Sequence, residues 1–152
     1  MTTAIGQGNT LVTPLHMCMI ASCVANGGIM MKPYCVSRIQ TYDGETVSET
    51  TPSIYKELMS ADEAQILTQF MKATVNYGTA QELGWGWYSA AGKTGSAEYE
   101  TEGATGTHSW FVGFSNVDDP DLAIAVIAED GGTGSATAVP IARAVFDAWY
   151  GS

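Results

Sequence analysis

Basic side chains are scarce in this chain: six lysines and arginines stand against sixteen aspartates and glutamates, a formal balance of −10. That is too few cations for a phosphate-tracking stripe, so electrostatics oppose nucleic-acid binding, and any anionic partner needs a local cation site. Long apolar runs are missing too. The longest predominantly apolar stretch, Met17 to Ala25, reaches only about half the length of a membrane-spanning helix. Met1-Thr2-Thr3 has neither the basic nor the apolar region of a signal peptide, so no segment of this chain is expected to cross or target a membrane. Cysteines are few and odd in number: Cys18, Cys23 and Cys35 lack the pair-plus-pair spacing of a zinc site, and His16 and His108 are isolated. Buried free thiols are expected, with no metal and no cofactor.

What is present suffices for one core. With 152 residues and 45% hydrophobic side chains, the chain has the size of one domain or part of one. Gly6-Gln7-Gly8-Asn9 signals a loop, and Thr13-Pro14 then supplies a capping hydroxyl and a first-turn proline. The helix that follows is apolar on most faces up to Asn26-Gly27-Gly28, which predicts burial. Tyr34 to Gln40 and Glu45 to Glu49, hinged at Asp43-Gly44, read as a small exposed hairpin. Ser60-Ala61-Asp62-Glu63 is a capping box opening an amphipathic helix with Leu67, Phe70, Met71, Thr74 and Val75 on its apolar side.

Three strand candidates come next: Ala91 to Tyr99, Ser109 to Asn116 and Leu122 to Glu129. A loop from Glu100 to Thr107 and the tight Asp118-Asp119-Pro120-Asp121 can join them as an antiparallel meander. Leu122 to Ala128 is apolar on both faces, the pattern of a central strand with helices above and below the sheet. Ile141, Ala144, Val145, Ala148 and Trp149 mark a closing amphipathic helix, with Pro140 tolerated near its first turn.

The chemistry concentrates in Gly92-Lys93-Thr94-Gly95-Ser96. A phosphate loop would need glycine at position 87, which is Trp87, and would have to open a helix, whereas this run continues as strand. The alternative is the Lys-Thr-Gly signature of penicillin-binding proteins and serine β-lactamases. Around it stand Gly6-Gln7-Gly8, Val12-Thr13-Pro14-Leu15, Ala25-Asn26-Gly27-Gly28, Gly78-Thr79-Ala80 and His108-Ser109-Trp110-Phe111-Val112-Gly113-Phe114. In order and spacing this set resembles the second half of the transpeptidase domain of class B penicillin-binding proteins.

The resemblance implies an α+β chain, part of a β-lactamase/transpeptidase-like fold. Its antiparallel sheet of three main strands, a meander, would be packed with helices on both faces. Residues 1–152 would be the C-terminal portion of one such domain. The intact protein would be a peptidoglycan D,D-transpeptidase, membrane-anchored and extracytoplasmic, joining stem peptides through an acyl-serine intermediate and reacting with β-lactams. Physically, a peptide ending in a carboxylate can lie antiparallel to an edge strand, with Lys93 supplying charge and Thr94 a hydroxyl. Gly95 removes a side chain where a backbone must approach, and by resemblance the Ser96 N–H would be an oxyanion donor.

The nucleophile itself is expected outside this chain. No Ser-x-Asn string occurs, and the one Ser-x-x-Lys string, Ser53-Ile54-Tyr55-Lys56, follows Pro52 instead of starting a helix and reads as coincidence. His108-Ser109 has no acidic partner in the local sequence, and Trp85, Trp87 and Trp110 read as packing or rim residues. Taken alone the chain is expected to be inactive, with the margin of the Leu122 strand unpaired and inviting self-association. A serine β-lactamase or sensor, and a non-catalytic peptide-carboxylate module, are the competing readings.

Overall fold

The computed structural model describes residues 6–8, 10–101 and 103–151. Asn9 of the opening loop, Met1-Thr2-Thr3 and Glu102 of the expected 100–107 loop lie outside the described residues.

Thr13 caps the first helix, α1 (Pro14–Ala25), by accepting the His16 N–H at 3.2 Å, with Pro14 at the first helical position. The short strand β1 (Ile29–Met31) pairs with β4 (Ile54–Glu57), and β2 (Arg38–Gln40) forms an exposed hairpin with β3 (Thr46–Glu49). Gly44, at φ 87°, makes the left-handed turn residue that the Asp-Gly pair predicts. Helix α2 (Ala61–Asn76) opens with the predicted capping box: Ser60 Oγ accepts the Glu63 N–H and the Glu63 carboxylate accepts the Ser60 N–H. The Ser60 N–H, and after it the Ser60 hydroxyl donating to the same carboxylate oxygen, hold the Glu63 carboxyl below its ordinary value.

The main sheet runs β5-β6-β7, antiparallel throughout, with β5 Ala90–Thr101, β6 Ala104–Ser115 and β7 Leu122–Ala128. The expected loop from Glu100 to Thr107 is mostly strand: both arms of the hairpin run twelve residues and pair to Thr101↔Ala104. Its polar composition reflects a hairpin tip exposed to water, where alternation between core and solvent disappears.

Side chains of β6 alternate between two cores. Phe111 points to the face carrying helix α3 (Ala138–Tyr150), where Val126, Val139, Ala142 and Phe146 surround it. Phe114 points to the opposite face, among Val24, Ala91, Met59 and Met71 from the α1 and α2 side. Helices therefore cover both faces, as the meander required. Gly92 lies opposite Gly113 in the ladder, and a Cβ at Gly92 would stand 2.8 Å from the Val112 carbonyl oxygen and against the Phe111 ring.

Several expectations need correction. Helix α1 is only partly buried: Ala21, Cys23 and Val24 are inside, whereas Leu15 is 59% exposed. Helix α2 packs through Ala64, Met71 and Val75, while Leu67 and Phe70 face out. Helix α3 buries Val139, Ala142 and Phe146 in place of Ile141, Val145 and Trp149, because the small Ala142 brings the helix close enough to seat Phe146 near Phe111. Among the described residues β7 stands at a margin of the sheet, where the sequence reading places it in this chain taken alone. Of the thiols, Cys23 is buried with its pKa raised by desolvation, Cys18 is half-buried, and Cys35 is exposed.

Candidate functional site

Strand β5 is the other margin of the sheet, and the Lys93-Thr94-Gly95-Ser96 run lies on it. Its register is set by β6: Lys93 opposes Val112, Thr94 Phe111, Gly95 Trp110 and Ser96 Ser109. Alternation then puts Lys93 and Gly95 on the α1/α2 face and Thr94 and Ser96 on the α3 face.

The free margin is taken up by side-chain donors. Lys93, exposed, donates from Nζ to the Thr94 carbonyl at 2.6 Å. Gln7 donates from Nε2 to the Ser96 carbonyl at 2.9 Å, which brings the Gly-Gln-Gly loop onto the same strand despite a separation of 89 residues. In a strand, the N–H and C=O of one residue leave on the same side. The Ser96 N–H thus faces the open margin with its carbonyl.

The two exposed-margin residues on the α3 face are held from behind. Thr94 Oγ1 lies 2.6 Å from Thr79 Oγ1. Ser96 Oγ accepts the Gly134 N–H at 3.4 Å. Gly134, in the β7–α3 turn, lies so close that a Cβ would stand 2.8 Å from the Gly95 carbonyl oxygen and 2.9 Å from Thr94 Cβ. On the other face, a Cβ at Gly95 would stand 3.2 Å from Trp110 Cβ, which leaves little room for a side chain beside the lysine. The contributions of Thr79 and Gly134 come from long-range packing; Gly78-Thr79-Ala80 was visible as a motif, but its reach to Thr94 was not.

Beyond Ser96 the margin continues into an open cavity of about 740 Å³, lined by Gln7, Gly8, Glu98, Tyr99, Glu100 and the facing β6 residues. Tyr99 stacks on His108 with ring centroids 4.6 Å apart and donates to Asp130 Oδ1 at 2.6 Å, and that bond raises the Tyr99 pKa.

The other tempting residues separate from this margin. His108 Nδ1 accepts the Asp130 N–H at 3.2 Å, while Ser109, fully buried on the opposite face, donates to the Thr133 carbonyl and accepts the Ala138 N–H. They form no Ser-His pair. Ser53 precedes strand β4, and Lys56 lies in it opposite Met30, so this Ser-x-x-Lys string starts no helix. Trp85 and Trp87 are rim residues, more than 70% exposed, with the Arg143 guanidinium 5.7 Å from the Trp85 ring. Among the described residues no group of three His, Cys, Asp or Glu is arranged to hold a metal, and no helix is long and apolar enough to cross a membrane.

Known proteins share this arrangement. Peptidoglycan D,D-transpeptidase PbpA of Mycolicibacterium smegmatis is 38% identical over 95% of this chain and 30% of its own length. PbpA of Mycobacterium tuberculosis H37Rv is 37% identical over 96% of this chain and 31% of its own. In solved structures, penicillin-binding protein A from M. tuberculosis as a ceftriaxone acyl-enzyme complex superposes with a TM-score of 0.89 at 35% identity, over 97% of this chain and 34% of that one. The D,D-transpeptidase domain of a peptidoglycan glycosyltransferase from Eggerthella lenta gives 0.77 at 31% identity, over 89% of this chain and 32% of that one. The chain thus spans about 30% of the length of the curated relatives it matches. The family model for the penicillin binding protein transpeptidase domain matches residues 1–147, and with a fold that superposes on its solved members over nearly the whole chain, the protein belongs to that family.

Proposed function

We propose that residues 1–152 are the C-terminal portion of a serine-type D,D-transpeptidase domain, and that β5 is its substrate-binding wall. The observation that carries this reading is the β5 margin, where backbone groups of Thr94 and Ser96 meet movable side-chain donors in place of another strand. A stem peptide ending in a D-alanine carboxylate pairs antiparallel along that margin. Lys93 leaves the Thr94 carbonyl to meet the carboxylate, and Thr94 donates its hydroxyl to the same group. The Ser96 N–H stands where an oxyanion develops, as one of two donors, and Gly95 keeps the approach free of a side chain. The attacking serine and its lysine base belong to a part of the domain outside these residues, so the chain alone forms no acyl intermediate.

In the longer protein this wall serves the cross-linking of peptidoglycan stem peptides, and β-lactams occupy it as mimics of the peptide terminus. That protein is extracytoplasmic and membrane-anchored outside the present chain. No cofactor enters, because acyl transfer through serine needs only a nucleophile, a base and oxyanion donors. Isolated, the 152-residue chain covers the aliphatic margin of β7 by pairing with a second copy, since no charge interrupts Leu122 to Ala128 and the gatekeepers stand only at its ends, Asp121 on one side and Glu129 and Asp130 on the other.

Lys93→Ala in the longer protein tests the central assignment. Second-order acylation by a β-lactam is expected to fall by about 10²-fold, while the denaturation midpoint stays within about 0.5 kcal/mol of the parent because the side chain is exposed. Unchanged acylation with unchanged stability removes Lys93 from the site.

A further inference from the structure

The tripeptide Gly78-Thr79-Ala80 has no part in the chemistry above, yet its middle residue touches the substrate strand. Thr79 Oγ1 lies 2.6 Å from Thr94 Oγ1. Its neighbours fix it there. The N–H groups of Gly78 and Ala80 both donate to the Thr74 carbonyl at 3.1 Å, folding the chain back on the end of α2. A Cβ at Gly78 would stand 2.9 Å from Thr74 Cα, so the turn is this tight only with glycine. Ala80 is fully buried among Val75, Leu83 and Tyr88. Thr79 is pinned on both sides while remaining exposed itself.

Each threonine hydroxyl has one proton to give, and a carboxylate only accepts. With no ligand, either hydroxyl can donate across the 2.6 Å gap. Once Thr94 donates to a carboxylate, it can only accept from Thr79, so the chain of bonds runs Thr79 to Thr94 to ligand. We propose that Thr79 is a positioning residue: it holds the Thr94 side chain in one rotamer and, by donating to it, makes Thr94 a stronger donor to the carboxylate of a peptide C-terminus. Polarisation along successive hydrogen bonds supplies the strengthening. The backbone of Gly134 lies against the other side of Thr94, where a Cβ on Gly134 would stand 2.9 Å from Thr94 Cβ, so the Thr79 hydroxyl is the polar partner that selects the direction of the Thr94 hydroxyl. The inference rests on the carboxylate-binding role proposed for Thr94, and it adds the reason for a threonine at position 79.

The test uses the isotope-labelled chain with two probes, N-acetyl-D-alanyl-D-alanine and its C-terminal carboxamide, titrated while following the amide signals of Thr94 and Ser96. Thr79→Val keeps the shape and removes the hydroxyl; Thr79→Ser keeps the hydroxyl. Thr79→Val is expected to weaken the carboxylate probe by about three- to tenfold and the carboxamide by less than about twofold, with Thr79→Ser close to the parent. Equal losses for both probes, or none for the carboxylate, overturn the proposal. The Hα–Hβ coupling of Thr94 reads the same question without a ligand: one rotamer in the parent that averages in Thr79→Val supports it, and an unchanged rotamer overturns it. A parent chain that binds neither probe removes the carboxylate role of Thr94 and with it the donor relay, leaving only the rotamer lock to the coupling measurement.

Discussion

The two margins of the main sheet present the same backbone groups behind different side chains. Along β5 stand Lys93, Thr94, Ser96, Glu98 and Glu100, and two carbonyls are covered by Lys93 Nζ and Gln7 Nε2. Along β7 stand Leu122 to Ala128, all aliphatic, with charges only at the two ends, Asp121 before the strand and Glu129 after it, and one carbonyl, that of Ala123, met by Cys18 Sγ at 3.6 Å. A margin covered by detachable donors is shielded from indiscriminate pairing and, on the reading proposed above, opens to a peptide that brings a carboxylate. Along the aliphatic margin the described side-chain cover is a single weak thiol donor from Cys18, and on the reading proposed above that margin pairs with a second copy.

Because β6 supports both margins, the strongest way to break the comparison is to damage β6 itself. Phe111→Ala, at a fully buried ring, is expected to cost about 3–5 kcal/mol and to shift the denaturant midpoint accordingly. Hydrogen exchange should then accelerate along β5 and β7 together; loss confined to one margin would show that the two are supported separately.

A smaller effect sharpens the difference. Ile127→Lys places a gatekeeper on β7, and sedimentation or light scattering should show self-association weakened by about tenfold, or 1.4 kcal/mol. Lys93→Ala should leave self-association where it was. If the chain is a monomer at high concentration without any substitution, with slow exchange from Ala123 to Ala128, pairing of copies across β7 is wrong.

The smallest effect lies away from both margins and serves as their control. Burial, followed by the hydrogen bond to Asp147, raises the Tyr88 pKa well above its ordinary value. A raised folded value means that the stabilisation is complete below the unfolded tyrosine pKa of about 10 and declines as pH rises from there toward the folded value. Thermal melts above that pH should therefore fall for the parent and fall less for Tyr88→Phe, whose cost at neutral pH should be about 1 kcal/mol for the lost bond. Neither margin should respond.

Local signals in the sequence carried much of this fold. Thr13-Pro14, the Ser60–Glu63 box and Asp43-Gly44 each determine their own hydrogen bonds within a few residues, and each stands in the structure where expected. What escaped depends on distant partners. The β1–β4 pair joins Met30 to Lys56 with every β4 residue exposed, so no alternation announces it. Helix α3 has two apolar stripes, and only the sheet decides that Phe146 goes inside and Trp149 stays out. The Lys93 to Ser96 run was legible because strand chemistry is written in consecutive residues. Thr79, Gly134 and Gln7 were not tied to it, since their contacts span 15, 38 and 89 residues.

The opposed glycines of β5 and β6 bear on how the chain can drift. Gly92 precedes the lysine directly and invites a functional reading from its position alone. Yet any side chain there meets the Phe111 ring and the Val112 carbonyl, and one at Gly113 would stand 3.0 Å from Gly92 Cα. Change at position 92 is therefore blocked by the ring that supports the sheet, whatever peptide lies on the strand. On the proposed reading, change at Thr94 or Glu98 alters what the strand accepts while Gly92 stays fixed, and a glycine retained at this place reports on packing and not on chemistry.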